Sequence, residues 1–296
     1  MKPINTHEVE ADSVVSLQTL ETWLAATVPP EFRYSSGVRD AVSTSHQTLK
    51  NLMRAGVPIY GTSTGFGPFV RFDVAHADTA AHAIGLLEHL GAGAGPAAPA
   101  SVVRAAMIIR LHTLGKGFSG VSPKAIEGYM KVFNSGCVPF VPQMGSLGAS
   151  GDLVPLAHIA RVLAGRGRGW FNGSEFHGLE LNGALGISPV ELESRDALGL
   201  VNGTAFSTAY TAVAAIRCQY LLDTAEALTA QLYRLLGARQ SHLHPALHEA
   251  RGQRGQITTA ANIRRMIEES GGYEEDTCRQ LQEIYSLRCA PQVLGA

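Results

Sequence analysis

Apolar residues recur at helical spacing along most of the chain. Residues 16–27 predict a short amphipathic helix. Residues 44–55 place Leu49, Leu52 and Met53 on one helical face and stop at Gly56. Residues 74–90 predict an Ala- and His-rich helix that ends in Gly91-Ala92-Gly93-Ala94-Gly95-Pro96, and residues 100–114 follow, closed by Gly115. Ser122-Pro123 reads as an N-cap and a first-turn proline, opening a helix that ends at Gly136. From 204 to 236 the apolar pattern is nearly unbroken, which predicts one very long helix of the kind that packs in bundles. Residues 258–269 predict another helix. Strand signals are few: a short run at 138–141 and a hairpin over 169–181 with Asn172-Gly173 as its turn. The pattern is mainly α with a small β element. A weak boundary near 187–201 divides an N-terminal domain, 1–200, from the start of a long-helix domain, 201–296.

Composition narrows the partners. With 24 Lys+Arg against 25 Asp+Glu, the net charge of -1 gives no reason to bind nucleic acid or an acidic membrane. Charged residues are 17%, below the roughly 25% of an average globular chain, which predicts extensive burial in helix packing or in an oligomer. Cys137, Cys218, Cys278 and Cys289 form no C-x-x-C pair. The start has no apolar core like a signal peptide's, and the most apolar run, 102–114, is broken by Arg104 and Arg110. A reducing, cytoplasmic setting without membrane insertion is the expectation.

Three stretches carry candidate chemistry. The glycine run at 91–95 follows a helix rather than a strand, which argues against a dinucleotide loop. His242, His244 and His248 have spacing that could hold zinc, but no H-E-x-x-H carboxylate accompanies them, and a hydrogen-bonded histidine cluster is the simpler reading. The third stretch is Gly148-Ala149-Ser150-Gly151-Asp152-Leu153-Val154-Pro155. Its plain reading is a flexible loop before a helix capped by Asp152. Its chemical reading is that Ala-Ser-Gly cyclises: the Gly151 nitrogen attacks the Ala149 carbonyl, an approach that only a residue without a Cβ allows. Loss of two waters then leaves a methylidene imidazolone, an electrophile of a kind that natural side chains do not offer.

On this stretch the chain resembles the aromatic amino acid lyases and aminomutases, which include histidine, phenylalanine and tyrosine ammonia-lyases. Tyr60-Gly61-Thr62-Ser63-Thr64-Gly65-Phe66-Gly67 is similar to the family's Y-G-x-[NT]-T-G-F-G loop. Leu198-Gly199-Leu200-Val201-Asn202-Gly203-Thr204 resembles L-A-L-x-N-G-T, and the block from Gln282 to Gly295 resembles Q-D-x-Y-S-L-R-C-x-P-Q-V-x-G. The resemblance implies a histidine ammonia-lyase-like fold, a helical bundle of the fumarase/aspartase type. It implies a 4-methylidene-imidazole-5-one group formed from Ala149, Ser150 and Gly151, with no external cofactor and no metal. Tyr60 would be the base for the substrate β-proton, Asn202 would hydrogen-bond the prosthetic group, and Tyr285 would be a second site tyrosine. Gly67, His89, Leu90, Gln282 and Arg288 would bind substrate, Arg288 by gripping its carboxylate with a planar two-pronged donor. His89-Leu90 matches the tyrosine-type pair, since a histidine can hydrogen-bond a phenol. Asn202 has a plain reading too, as a cap for the long helix, and Tyr60 one as a turn residue packed on Phe66.

Two departures stand out. Ser63 replaces the usual Asn or Thr, and Arg251-Gly252-Gln253-Arg254-Gly255-Gln256 replaces R-P-H-x-G-Q. Family chains also continue beyond the Pro-Gln-Val block, so the expectation is an N-terminal part, with a homotetramer or a second chain completing it. The resulting reading is an ammonia-lyase converting L-tyrosine to 4-coumarate and ammonia. The alternatives are a tyrosine 2,3-aminomutase, a histidine or phenylalanine ammonia-lyase, or a non-catalytic binding subunit of a split lyase.

Overall fold

A computed structural model describes residues 6–26, 29–75, 78–149, 151–193 and 195–296. The chain divides into two compact units, 1–214 and 215–296. The first unit opens with β1 (Thr6–Val9), α1 (Leu17–Ala25), β2 (Glu31–Tyr34), α2 (Ser36–Arg54) and α3 (Thr79–Leu90). It continues with β3 (Ala94–Ala97), α4 (Ala100–Gly115), α5 (Pro123–Asn134), β4 (Val138–Pro139) and β5 (Pro142–Met144). Then come α6 (Leu153–Leu163), β6 (Arg168–Phe171), β7 (Ser174–His177), α7 (Gly178–Leu185) and α8 (Asp196–Val201). The long helix α9 (Ala205–Leu236) runs across the division. The second unit adds α10 (Pro245–Arg251), α11 (Arg254–Glu269), α12 (Tyr285–Arg288) and α13 (Ala290–Leu294).

The architecture is helical, as the periodicity predicts, with three small sheets among the described residues. The expected hairpin is present: β6 and β7 pair antiparallel, and Asn172 and Gly173 both take positive φ, 49° and 81°, as a type I′ turn requires. The short strand expected at 138–141 shrinks to β4, Val138–Pro139, which pairs with β6. The glycine run after α3 is partly a strand, with β3 antiparallel to β5.

Three helix boundaries move. α2 starts eight residues before the expected 44, where Ser35 caps it, and it buries Val38, Val42, His46 and Leu49. Leu52, expected on the buried face, is exposed. α3 starts at Thr79 rather than 74: Val74 donates to the Ser63 carbonyl and Thr64 bridges Asp73, which commits that stretch to closing the 63–74 loop. α11 starts at Arg254, not 258. The parallel pair β1–β2 was not expected. Its strands are four residues each, too short for alternation to stand out.

The core of the first unit lies among α4, α5 and α6. Met107, Ile108, Leu111, Leu114, Tyr129, Leu156, Ile159 and Leu163 are all essentially inaccessible. Each large apolar side chain so buried is worth about 1.5–3 kcal/mol relative to exposure. The second unit has its own cluster of Ala230, Tyr233, Ala238, Leu243, Ile263, Ile267 and Leu287. The Tyr233 hydroxyl donates to the Leu287 carbonyl at 3.1 Å, so the buried phenol is satisfied.

Candidate active site

The signature loop leads from β5 into α6. Ala149 is exposed, whereas Gly151 and Asp152 are buried; Ser150 lies outside the described residues. Gly151 has φ +130°, and a Cβ there would lie 2.9 Å from both Asn202 Oδ1 and Gly203 N. Only glycine fits this backbone and this space. The residues present fit the imidazolone group: an amide side chain and a main-chain nitrogen occupy the space that a Cβ on Gly151 would need.

Asp152 does not cap its own helix. It sits at the N-cap of α6 without a side-chain cap bond. Its Oδ2 instead accepts from the Ser207 N–H at 2.7 Å and the Ser207 hydroxyl at 2.9 Å, and its Oδ1 accepts from Ser146 at 3.0 Å. The carboxylate therefore caps the first turn of α9, where unpaired N–H groups and the positive end of the helix dipole favour an anion. Asn202 consequently does not cap the long helix. It ends α8, its N–H donating to the Leu198 carbonyl.

Tyr60 lies in the 59–74 loop and is 47% exposed. Its hydroxyl accepts from the Gly67 N–H at 3.0 Å, and its carbonyl accepts from Arg195 Nη1 at 3.0 Å. The phenol is held by hydrogen bonding rather than by packing on Phe66, whose ring stacks face-on with His82 at 4.3 Å. Tyr60, Phe66, Gly67, His82, His89, Leu90 and Leu153 together line a cleft of about 560 Å³. Four of the expected residues, Tyr60, Gly67, His89 and Leu90, thus share one cavity. Leu153 links it to the signature loop, two residues after Gly151.

Gln282, Tyr285 and Arg288 belong to the second unit. Tyr285 and Arg288 occupy the single turn α12, with the guanidinium 4.3 Å over the tyrosine ring. Arg288 Nε is buried without a hydrogen-bond partner, and Gln282 and Tyr285 are exposed. A guanidinium with an unused buried donor suits a carboxylate ligand.

The zinc reading fails. His248 Nε2 donates to the His242 carbonyl, and its Nδ1 accepts from Gln256 at 2.8 Å. His242 Nε2 accepts from the Glu283 N–H, and His244 Nδ1 accepts from the Ala246 N–H. All three rings are engaged in local hydrogen bonds, and among the described residues no cluster could hold a metal. Nor is any described helix long and apolar enough to cross a membrane.

The family model described as aromatic amino acid lyase matches residues 17–296. The chain belongs to this family. It is 36% identical over 261 residues to a histidine ammonia-lyase of Streptococcus sanguinis, covering 87% of this chain and 50% of that one. It is 35% identical over 266 residues to a histidine ammonia-lyase of Treponema denticola, covering 90% and 52%. Among solved structures, the tyrosine aminomutase of Streptomyces globisporus superposes with a TM-score of 0.87 at 28% identity, over 98% of this chain and 58% of that one. The chain spans about half the length of the curated relatives it matches.

In this member of the family, three residues that the sequence does not single out lie in or against the cleft: His82 and Leu153 line it, and Arg195 holds the Tyr60 carbonyl. His82 was legible in principle, because it lies seven residues before His89 on the same face of α3. Arg195, which donates to the Ser119 carbonyl as well as to that of Tyr60, carries no local signal.

Proposed function

We propose that the chain carries the N-terminal part of an aromatic amino acid ammonia-lyase, with L-tyrosine as substrate and 4-coumarate and ammonia as products. The observation that carries this reading is the shared cleft of Tyr60, His89 and Leu90, beside a Gly151 pressed against Asn202. An imidazolone formed from Ala149, Ser150 and Gly151 would supply the electrophile to which the substrate amine adds. Asn202 and Gly203 would hold it. Tyr60 would take the β-proton at its phenolic oxygen, the atom that accepts from Gly67. Arg288 would bind the carboxylate through its free donor edge. His89, which lines the cleft, would hydrogen-bond the phenol, and closing of the 59–74 loop would exclude water. A homotetramer would bring further chains to the site.

A second reading, histidine as substrate, is favoured by the names of the curated relatives. The test pairs residues 1–296 with a C-terminal half from a relative and offers tyrosine, histidine and phenylalanine. Formation of 4-coumarate supports the first reading and urocanate the second. A 3-amino product in place of ammonia marks an aminomutase. If no substrate turns over and the chain mass is unmodified, the chain is a binding subunit.

A further inference from the structure

Arg110 lies in α4, most of whose residues are buried, and is 6% exposed. Its hydrogen bonds run to the last carbonyls of α8 and the residue after it. Nε donates to the Leu200 carbonyl at 3.1 Å, and Nη2 donates to those of Asn202, at 3.2 Å, and Gly199. Carbonyls at a helix C-terminus have no partner within the helix, and a cation there meets the negative end of the dipole. The planar fork reaches three of them at once, which a lysine ammonium could not do in the same geometry.

The other side of the same backbone faces the signature loop. The Gly203 carbonyl accepts from the Asp152 N–H at 2.7 Å, and Asn202 Oδ1 occupies the space that a Cβ on Gly151 would need. A Cβ on Gly203 would come within 2.4 Å of Arg110 Nη1, so this backbone lies directly against the guanidinium. Residues 199–203 are therefore held between a buried arginine and the tripeptide.

We propose that Arg110 is a positioning residue for cyclisation of Ala149–Gly151: by fixing the carbonyls of 199–202 it sets how closely Asn202 and Gly203 press on Gly151. The proposal rests on the reading that the tripeptide cyclises. Closure forms a bond from the Gly151 nitrogen to the Ala149 carbonyl carbon. That carbonyl oxygen leaves as water with the amide hydrogens of residues 150 and 151. The Cα hydrogen and the hydroxyl of residue 150 leave as the second water, and no oxidant is needed. Arg110 touches none of these atoms.

The test uses the full chain, wild type, Arg110→Met and Arg110→Lys, with two readouts: peptide-mapped mass at 149–151, and hydrogen exchange at single amides. The Asp152 amide reports the clamp. The Ala125 amide, capped by Ser122, reports the fold elsewhere in the same unit. With Arg110→Met, exchange at Asp152 rises about tenfold, the loss of roughly one charge-assisted hydrogen bond, while Ala125 stays protected. The rate of water loss at 149–151 falls by at least as much, and Arg110→Lys lies between. Wild-type exchange at Asp152 together with wild-type water loss in either variant overturns the proposal. So does loss of Ala125 protection in both variants, which would make Arg110 a general core residue. If the wild type itself retains both waters, the cyclisation reading falls, and the clamp stands or falls on Asp152 exchange alone.

Discussion

Gly151 shows how much one missing Cβ can carry. Its φ of +130° excludes other residues on backbone grounds, and the 2.9 Å approach of Asn202 Oδ1 excludes them on space. Gly151→Ala is expected to cost about 1–3 kcal/mol of stability and to abolish water loss at 149–151; a melt and an intact mass check both. A second residue of this kind is Glu283, whose side chain is 2% exposed. Its carboxylate accepts from Arg279 at 2.7 and 2.8 Å and from the Arg239 N–H at 3.1 Å. These partners, Arg279 first, pull its pKa from 4.5 down to about 2. A depressed acid stabilises the fold above its unfolded pKa, and that stability is lost as pH falls toward the folded value. Protection against amide exchange in residues 237–295, taken relative to the intrinsic rate at each pH, should therefore fall between pH 4.5 and 2. Glu283→Gln should flatten that dependence and cost about 2 kcal/mol at neutral pH. An unchanged acid profile in the variant would refute the assignment.

Among the elements, α5 joins a legible signal to an illegible one. Ser122-Pro123 announces the helix, and Ser122 Oγ accepts from the Ala125 N–H as a cap should. What the local pattern does not contain is Asp196, from the start of α8, which accepts from both the N–H and the hydroxyl of Ser122. Burial raises the Asp196 pKa above the ordinary range despite these bonds, so removing a donor should be felt. Ser122→Ala is expected to destabilise by about 2 kcal/mol, the upper end for a lost cap, and to raise the Asp196 pKa further, readable by carboxyl NMR titration. A loss below half a kcal/mol would mean that the Asp196 contact is incidental. The same contrast explains what could be read along the chain. Periodicity, the N-cap and the Asn-Gly turn are local, and they located α4, α5, α9 and the hairpin. The start of α3, the Asp152 cap on α9 and the Arg195–Tyr60 bond depend on partners 11, 55 and 135 residues away, which no local pattern encodes. Within the site, the signature loop was legible because Ala149-Ser150-Gly151 and its flanks form one short contiguous pattern that resembles the family's. Its support by Gly203 and Arg110 was not.

For the molecule as a whole, the governing feature is α9. Leu221, Leu228, Leu232 and Leu235 recur at intervals of seven, four and three residues, which places them on one face of the helix. They are 65%, 60%, 44% and 81% exposed. Four leucines in one stripe form a seam of the kind that helices bury against each other, and a chain with so few charges has little to keep such seams apart. Burying each leucine contributes about 1.5–3 kcal/mol, enough in sum to drive association at micromolar concentration even after the cost of immobilising two chains. Residues 1–296 should therefore self-associate in sedimentation, with the average mass rising with concentration. Leu228→Glu with Leu235→Glu should weaken that association by at least about a hundredfold. The helix itself should survive, since glutamate is a good helix former at exposed positions, and far-ultraviolet dichroism would confirm it. A wild-type chain that sediments as a monomer at all concentrations would show that the stripe is not a self-association surface, and the oligomeric reading would then lose its physical basis.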